Sequence, residues 1–110
     1  MTINLSVKDW NIQELTGYKP ITSFYRDFSI ADRFGINAIN DTFNRAFNSW
    51  HKSYKYLTEL VMVLNWKCAE HYEHDAVKSE LYRVLYDTTN NFAFDNLEGE
   101  ELSYFIRTTD

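Results

Sequence analysis

The clearest pattern in the chain is a run of apolar residues at helical spacing between residues 36 and 50. They recur every three or four positions: Ile36, Ile39, Phe43, Ala46, Phe47 and Trp50. Asparagines occupy a different face of the same segment, so the pattern predicts an amphipathic helix. After a break at residues 51–53, the segment from 54 to about 73 is apolar on nearly every side. A helix of that kind is typical of the centre of a bundle, and we predict that it is the hub of the fold.

Three further helices are predicted around this hub. The first is capped by Thr22 or Ser23 and ends close before Gly35, a position that suits a left-handed residue. Asp75 caps the second, and Gly99 precedes a short last helix. Their predicted core residues are Phe24, Phe28 and Ala31 in the first, Val77, Leu81, Leu85 and Phe92 in the second, and Leu97, Leu102, Phe105 and Ile106 in the third.

The distribution of Gly and Pro sets the fold class. Neither residue occurs from position 36 to position 98, which favours helices over strands and turns. We predict an all-α protein: one domain over 1–110, built as a small orthogonal bundle of four to five helices around the central hydrophobic helix. The structure of residues 1–20 is uncertain, because Ile3 and Leu5 alternate as in a strand, whereas Ser6 and Asp9 resemble a helix start.

Composition excludes several classes of protein. The longest runs without a charged residue are far shorter than the roughly 20 residues of a membrane span, and the polar start of the chain does not resemble a signal peptide. The single Cys68 cannot form an internal disulfide, so we expect a reducing, cytoplasmic location. Neither a Gly-rich phosphate loop nor a Ser elbow is present. We therefore predict a protein without catalytic activity and without a cofactor.

Charge is unevenly distributed along the chain. Residues 70–110 carry ten Asp/Glu and three Lys/Arg, a net charge of −7, whereas residues 1–69 carry six and eight, a net charge of +2; together they give −5. Because phosphate binding relies on Lys and Arg, an acidic C-terminal surface disfavours direct nucleic-acid binding and suits a basic protein surface. A solvated face that only aids solubility is the alternative.

Two sequence motifs are compatible with other functions, the first with metal binding and the second with DNA binding. Glu70 with His74, and His71 with Asp75, are i, i+4 pairs that share a helix face, as ligands of a metal-assisted hydrolase would. A second ligand cluster is missing, so we expect a polar helix end and no metal.

The second motif resembles a helix-turn-helix. Residues 30–36 are followed by an Asn-rich helix whose Asn37, Asn40, Asn44 and Arg45 could face bases. Asp41 and Asn44 stand where the second helix of such a motif would pack on the first, and no basic stripe is present. A small DNA-binding or regulatory protein that uses this helix is the alternative function.

Aromatic residues are numerous, making up 17% of the chain. The apolar periodicity assigns many of the Phe residues to the core, but the hydroxyl groups of the Tyr residues cannot all be buried. Tyr is an effective anchor for protein contacts. The candidates for such contacts are Tyr54, Tyr56, Tyr72, Tyr82, Tyr86 and Tyr104, but for each one taken singly we expect a partly exposed core aromatic residue.

From about residue 20 to residue 110, the chain resembles a family of small uncharacterised proteins carried by phages and mobile elements of gut Firmicutes. The segments that carry the resemblance are FSIAD at 28–32, DTF at 41–43, RAF at 45–47, YKYLTELVMVLNWK at 54–67, GEELSYF at 99–105 and RTTD at 107–110. The region of resemblance, from about residue 20 to residue 110, covers about four fifths of the chain. The resemblance implies a biological context, a protein that binds a host component stoichiometrically, and it implies no reaction.

Within that context the chain is similar in size and charge to acidic anti-CRISPR proteins. This similarity implies an inhibitor of a bacterial defence nuclease, possessing an acidic surface that occupies a basic nucleic-acid channel. The expected partner is thus a host protein with a basic surface, such as a CRISPR effector nuclease. A homodimer is a further alternative. The predicted contact residues are Asp87, Asp95, Glu98, Glu100, Glu101 and Tyr104.

Overall fold

Five helices follow one another in the computed structural model, which describes residues 20–110. They are α1 (Pro20–Asp32), α2 (Ile36–Trp50), α3 (Tyr54–His71), α4 (Ala76–Asn96) and α5 (Gly99–Thr109). These residues contain no strand, so the predicted all-α class and small helical bundle are confirmed. The predictions for residues 1–19 lie outside the described residues. None of the five helices is long and apolar enough to cross a lipid bilayer.

Helix α3 is the hub, as predicted. It packs against each of the other four helices. Its fully buried apolar residues are Leu57, Leu60, Val61, Val63 and Leu64. One side of the hub nevertheless reaches the surface, since Trp66 is 46% exposed.

The starts of α3 and α4, and the glycines at two junctions, follow local capping rules. Ser53 accepts a hydrogen bond from the Tyr56 amide at 3.4 Å, and Asp75 accepts one from the Lys78 amide at 3.1 Å. Gly35 lies between α1 and α2 with φ 105°, and Gly99 opens α5 with φ 58°. Both angles are ones that side chains disfavour, which explains glycine at these two junctions.

Helix α1 differs from its prediction at both ends. It begins at Pro20 instead of after a cap at Thr22 or Ser23, because proline is well suited to the first turn of a helix. Ser23 is a residue of the first turn of this helix and is fully buried in the protein. The helix ends at Asp32, and the following turn is closed by a hydrogen bond from the Gly35 amide to the Ala31 carbonyl at 3.1 Å.

The core consists of two clusters on either side of the hub. The larger joins α1, α2, α3 and α4, and its largest members include Phe24, Phe28, Ile39, Trp50 and Tyr82. The smaller joins α3, α4 and α5 through Leu57, Val61, Ala93 and Phe105. Tyr86 packs against both clusters.

The apolar face of α4 is shifted relative to its prediction. Val77 is 68% exposed, although the apolar pattern assigned it to the core, while Leu85 is buried as expected. The buried stripe runs instead through Ser79, Tyr82, Leu85, Thr89 and Ala93. The three polar members of this stripe hide their hydroxyl groups in hydrogen bonds, so a hydropathy pattern alone does not find them.

Candidate functional site

Five exposed carboxylates lie in the C-terminal half of α4, in the turn that follows it and in the first turn of α5. They are Asp87, Asp95, Glu98, Glu100 and Glu101, and they are called the acidic surface below. The segment from Val84 to Ile106 contains no Lys, Arg or His, so no basic residue interrupts the acidic surface along the chain. The structure therefore presents all five predicted acidic residues to solvent.

The turn between α4 and α5 holds the middle of the acidic surface. The Leu97 amide closes α4 by donating to the Ala93 carbonyl at 2.8 Å. Glu98 then caps α5 with its backbone, and Glu100 and Glu101 occupy the first turn of that helix. Negative charge there is stabilised by the helix dipole, which accounts locally for these two residues but not for Asp87 or Asp95.

Few of these carboxylates have a basic partner. Among residues 20–110, an ion pair is found for Asp87 alone of the five, to Arg83 Nε at 3.9 Å. Both side chains of that pair are more than half exposed, so water screens the interaction strongly. Lys52 and His51 line one cavity with Glu101, so a basic residue also lies near this end of the acidic surface. The acidic surface thus keeps a net negative charge that is offset by few direct ion pairs within residues 20–110.

Tyr104 is partly buried, and its ring packs edge-on against Tyr54 with 5.3 Å between centroids. It therefore supports α5 on the hub more than it extends from the acidic surface. Among the other tyrosines considered as surface anchors, Tyr72 is 73% exposed, whereas Tyr56 and Tyr82 are buried. Tyr54 and Tyr86 are half-buried.

The alternative nucleic-acid residues lie on α2, which forms an αα-hairpin with α1. Asn37, Asn44 and Arg45 are exposed, and Asn40 is partly buried. The Arg45 guanidinium donates to the Thr42 hydroxyl at 3.4 Å. Asp41 is exposed on the same helix, so this surface lacks the excess of positive charge that phosphate binding needs.

A buried polar network, which the sequence analysis missed, joins α1, α3 and α4. It comprises Asp32, Lys67, Glu70, His71 and Tyr82, and is called the Asp32 network. Lys67 is only 2% exposed and approaches Asp32 Oδ2 to 2.6 Å. His71 Nε2 lies 3.0 Å from the same oxygen, and the Tyr82 hydroxyl donates to Asp32 Oδ1 at 2.6 Å. Since an ionised carboxylate only accepts, His71 is the donor in its contact.

The network continues from Lys67 to the surface. Lys67 donates to Glu70 Oε1, and Tyr25 donates to Glu70 Oε2 at 2.6 Å. The Lys67 ammonium also lies 5.0 Å from the centre of the Tyr25 ring, a cation–π contact. Each carboxylate oxygen of Asp32 and Glu70 therefore has a donor.

These contacts favour the charged form of Asp32, Lys67 and Glu70. Burial alone raises the pKa of Asp32, but hydrogen bonds from Lys67, Tyr82 and His71 outweigh it and hold that pKa below its usual value. Burial lowers the pKa of Lys67, yet the two carboxylates outweigh it and raise that pKa. The bond from Lys67 lowers the pKa of Glu70. Both carboxylates and the ammonium are thus charged at neutral pH.

The Asp32 network has the composition of a metal site but already contains a cation. Ligand atoms of Asp32, Glu70 and His71 lie within 4.8 Å of one another. The ammonium of Lys67 lies between the two carboxylates, at the place where a metal ion would bind. The i, i+4 pairs weighed as metal ligands do not share a helix face, because α3 ends at His71: His71 bonds Asp32, Asp75 caps α4 and His74 is exposed.

The same network offers no activated nucleophile. Ser29 Oγ lies 3.3 Å from Lys67 Nζ, the spacing of a Ser–Lys pair. A lysine with a raised pKa cannot accept the hydroxyl proton near neutral pH, so this pair does not activate the serine. The arrangement is suited to holding three helices together.

Sequence spacing gives only part of this network. Lys67, Glu70 and His71 share one face of α3 at i, i+3 and i, i+4 separations, which identifies them as neighbours. Asp32 and Tyr82 come from other helices, and their approach depends on tertiary packing.

No family model, curated protein or solved structure matches this chain. The resemblance to proteins of phages and mobile elements therefore stays a prediction.

Proposed function

We propose that this chain is a non-enzymatic, stoichiometric inhibitor of a bacterial defence nuclease of the type II CRISPR kind. It binds through the acidic surface to the basic groove in which the nuclease holds nucleic acid. The observation that carries the proposal is the set of five exposed carboxylates in a segment, Val84 to Ile106, whose sequence contains no basic residue.

Electrostatics supports a basic protein partner. Uncompensated charge steers a partner of opposite charge and accelerates association, and nuclease channels that bind nucleic acid are lined by Lys and Arg. Four helices pack around the hub, so the acidic surface is presented on a defined scaffold. A preorganised surface loses less conformational entropy on binding than a disordered acidic tail would.

The test is a DNA-cleavage assay with purified type II effector nucleases loaded with guide RNA. We expect cleavage to fall in proportion to added protein and to stop at about one chain per effector. The variant Glu98→Lys, Glu100→Lys, Glu101→Lys should abolish the inhibition, because it places positive charge where the partner is positive. Binding is measured in parallel by biolayer interferometry at several salt concentrations, and the affinity of the unchanged protein should fall as salt rises.

A matched control places the same charge change elsewhere. Asp41, Glu73 and Glu80 are also exposed, and among residues 20–110 no ion pair is found for them. Their triple change to Lys alters the net charge equally and should leave inhibition intact. Equal loss in both triple variants would show that net charge matters and not the acidic surface. Absence of inhibition by the unchanged protein across a panel of effectors would overturn the proposal.

The alternative function, DNA binding through α2, is tested in the same preparation. Duplex binding that weakens steeply with salt, and that is lost in Arg45→Ala with Asn44→Ala, would replace the inhibitor proposal. Both residues are exposed, so these changes should not disturb the fold.

A further inference from the structure

A groove lies between α3, α4 and the end of α5. Its main cavity has a volume of about 210 Å³ and is lined by Val61, Met62, Asn65, Trp66, Tyr86, Thr108, Thr109 and Asp110. A second cavity of about 180 Å³ adjoins it, sharing Asn65 and Tyr86 and reaching Arg83 and Asp87. The two cavities are together called the Trp66 groove, which extends from the hub to Asp87 of the acidic surface.

Trp66 is the unexplained residue of this groove. It lies on the hub helix, whose neighbouring Val63 and Leu64 are fully buried, yet 46% of it is exposed. An exposed aromatic residue alone is common on protein surfaces, but Trp66 also lines a cavity, and Trp is among the residues that most often anchor a binding partner. Tyr86, which packs on both core clusters, provides a second and firmly held aromatic side chain in the same cavity.

The charges around the groove specify the kind of occupant. Asp110 is the one ionisable carboxylate that lines the main cavity, and none of the lining residues there is Lys, Arg or His. In the second cavity Asp87 is paired with Arg83 at 3.9 Å, so the charges there offset each other and the main cavity carries the net negative charge. Aromatic faces combined with a carboxylate suit a cation, and a planar guanidinium stacks on aromatic rings better than a strongly hydrated ammonium does.

We propose that the Trp66 groove seats an arginine side chain of the basic partner, with the guanidinium over Trp66 and paired with Asp110. This inference rests on the proposed function for the identity of the partner, since Asp87 connects the groove to the acidic surface. It adds one anchoring pocket to a contact otherwise made by screened charges. Such a pocket gives specificity, which exposed carboxylates alone supply poorly.

The first test needs no nuclease. A blocked peptide with a single arginine between glycines is titrated into the isotopically labelled protein and followed by amide NMR signals. Matched peptides carry lysine or citrulline in place of arginine; citrulline keeps the shape but lacks the charge. We expect saturable shifts at Asn65, Thr108 and Thr109 with the arginine peptide, weaker binding of the lysine peptide and none of the citrulline peptide.

Variants connect those shifts to the groove. Trp66→Ala should weaken binding of the arginine peptide about fivefold, and Asp110→Asn should weaken it by a similar factor. Ile30→Ala is the matched control, because Ile30 is 44% exposed on α1 and does not line the groove. Equal shifts with arginine and citrulline, or shifts confined to residues 98–101, would overturn the inference. Signals that move with protein concentration alone would assign the groove to a second copy of this chain instead.

The cleavage assay separates this inference from the proposed function. If the arginine peptide binds but no nuclease is inhibited, the groove is supported and the proposed function fails. If inhibition depends on Glu98, Glu100 and Glu101 but is unchanged in Trp66→Ala, the proposed function is supported and the arginine pocket fails.

Discussion

Carboxylates in two regions of the molecule have opposite surroundings. In the Asp32 network, Asp32 accepts hydrogen bonds from Lys67, His71 and Tyr82, and Glu70 accepts from Lys67 and Tyr25. On the acidic surface, among residues 20–110, no ion pair is found for Asp95, Glu98, Glu100 or Glu101. The first set of charges is paired within the protein, although Glu70 itself is 45% exposed, and most of the second set faces solvent without an ion pair.

This difference separates two uses of the same side chain. A buried carboxylate is tolerated only with a full set of donors, and those donors come from other helices, so it fixes how the helices meet. An exposed carboxylate without a partner adds little to stability and leaves its field free to act on another molecule. We therefore expect changes in the Asp32 network to affect folding and changes on the acidic surface to affect binding.

The largest effect is expected for Lys67→Met. The substitution keeps most of the side-chain volume but leaves Asp32 with a buried charge and fewer donors. Breaking a buried ion pair in this way should lower the free energy of unfolding by about 3–5 kcal/mol, measured by urea denaturation followed by circular dichroism.

A double variant tests whether the loss comes from that uncompensated charge. Lys67→Met combined with Asp32→Asn removes both charges, so it should be less destabilised than the sum of the two single variants. If the losses of the two single variants simply add in the double variant, Lys67 contributes packing alone. The Asp32 network would then not differ from the acidic surface in how its charges are used.

Acid should weaken the fold through the same network. The pKa values of Asp32 and Glu70 are lowered in the folded state, so their stabilising effect is fully present above the unfolded values near pH 4. It is lost as the pH falls through the folded values, because protonated carboxyls no longer hold the Lys67 ammonium. Urea midpoints measured from pH 7 down to pH 2 should fall below about pH 4, and the fall should be shallower in Asp32→Asn. An identical pH profile in that variant would contradict the assignment.

The helices and their ends are largely determined by local sequence. The apolar repeat of Ile36–Trp50 and the capping residue Asp75 predicted elements that the structure contains at those positions. Such features depend on neighbours within one turn, so a single sequence is enough to find them. The hub was predicted for the same reason, since its apolar character is continuous along α3.

The Asp32 network could not be predicted because its members come from helices that are far apart in the sequence. Asp32 and Tyr82 are separated by 50 positions, and nothing near either residue indicates the other. Val77 was predicted in the core because it is apolar, and this prediction is wrong. The face of α4 that contains Tyr82 is buried, so Val77 is exposed to solvent. The acidic surface could be predicted from the sequence because charged residues are usually exposed, whichever residues pack near them.

A smaller effect is expected for Tyr82→Phe. The change removes one hydrogen bond to Asp32 and preserves the edge-on packing of the ring against Phe28, whose centroid lies 5.7 Å away. Loss of a buried bond to a charged acceptor should lower the free energy of unfolding by about 2 kcal/mol. Tyr72→Phe, at a position 73% exposed, is the control and should leave the urea midpoint unchanged. Equal effects of the two changes would mean that the Tyr82 hydroxyl is not held by Asp32.

The smallest effect on stability is expected where the effect on binding is largest. Replacing Glu98, Glu100 and Glu101 by Gln removes favourable charge from the first turn of α5 but also relieves repulsion among three neighbouring carboxylates. The two contributions oppose each other, so the free energy of unfolding should change by less than about 1 kcal/mol in urea denaturation. A loss greater than that of Tyr82→Phe would show that the acidic surface is a structural element of α5. The uncompensated charge would then have a role inside the fold, and the distinction between carboxylates that hold helices and carboxylates that face a partner would not apply to this protein.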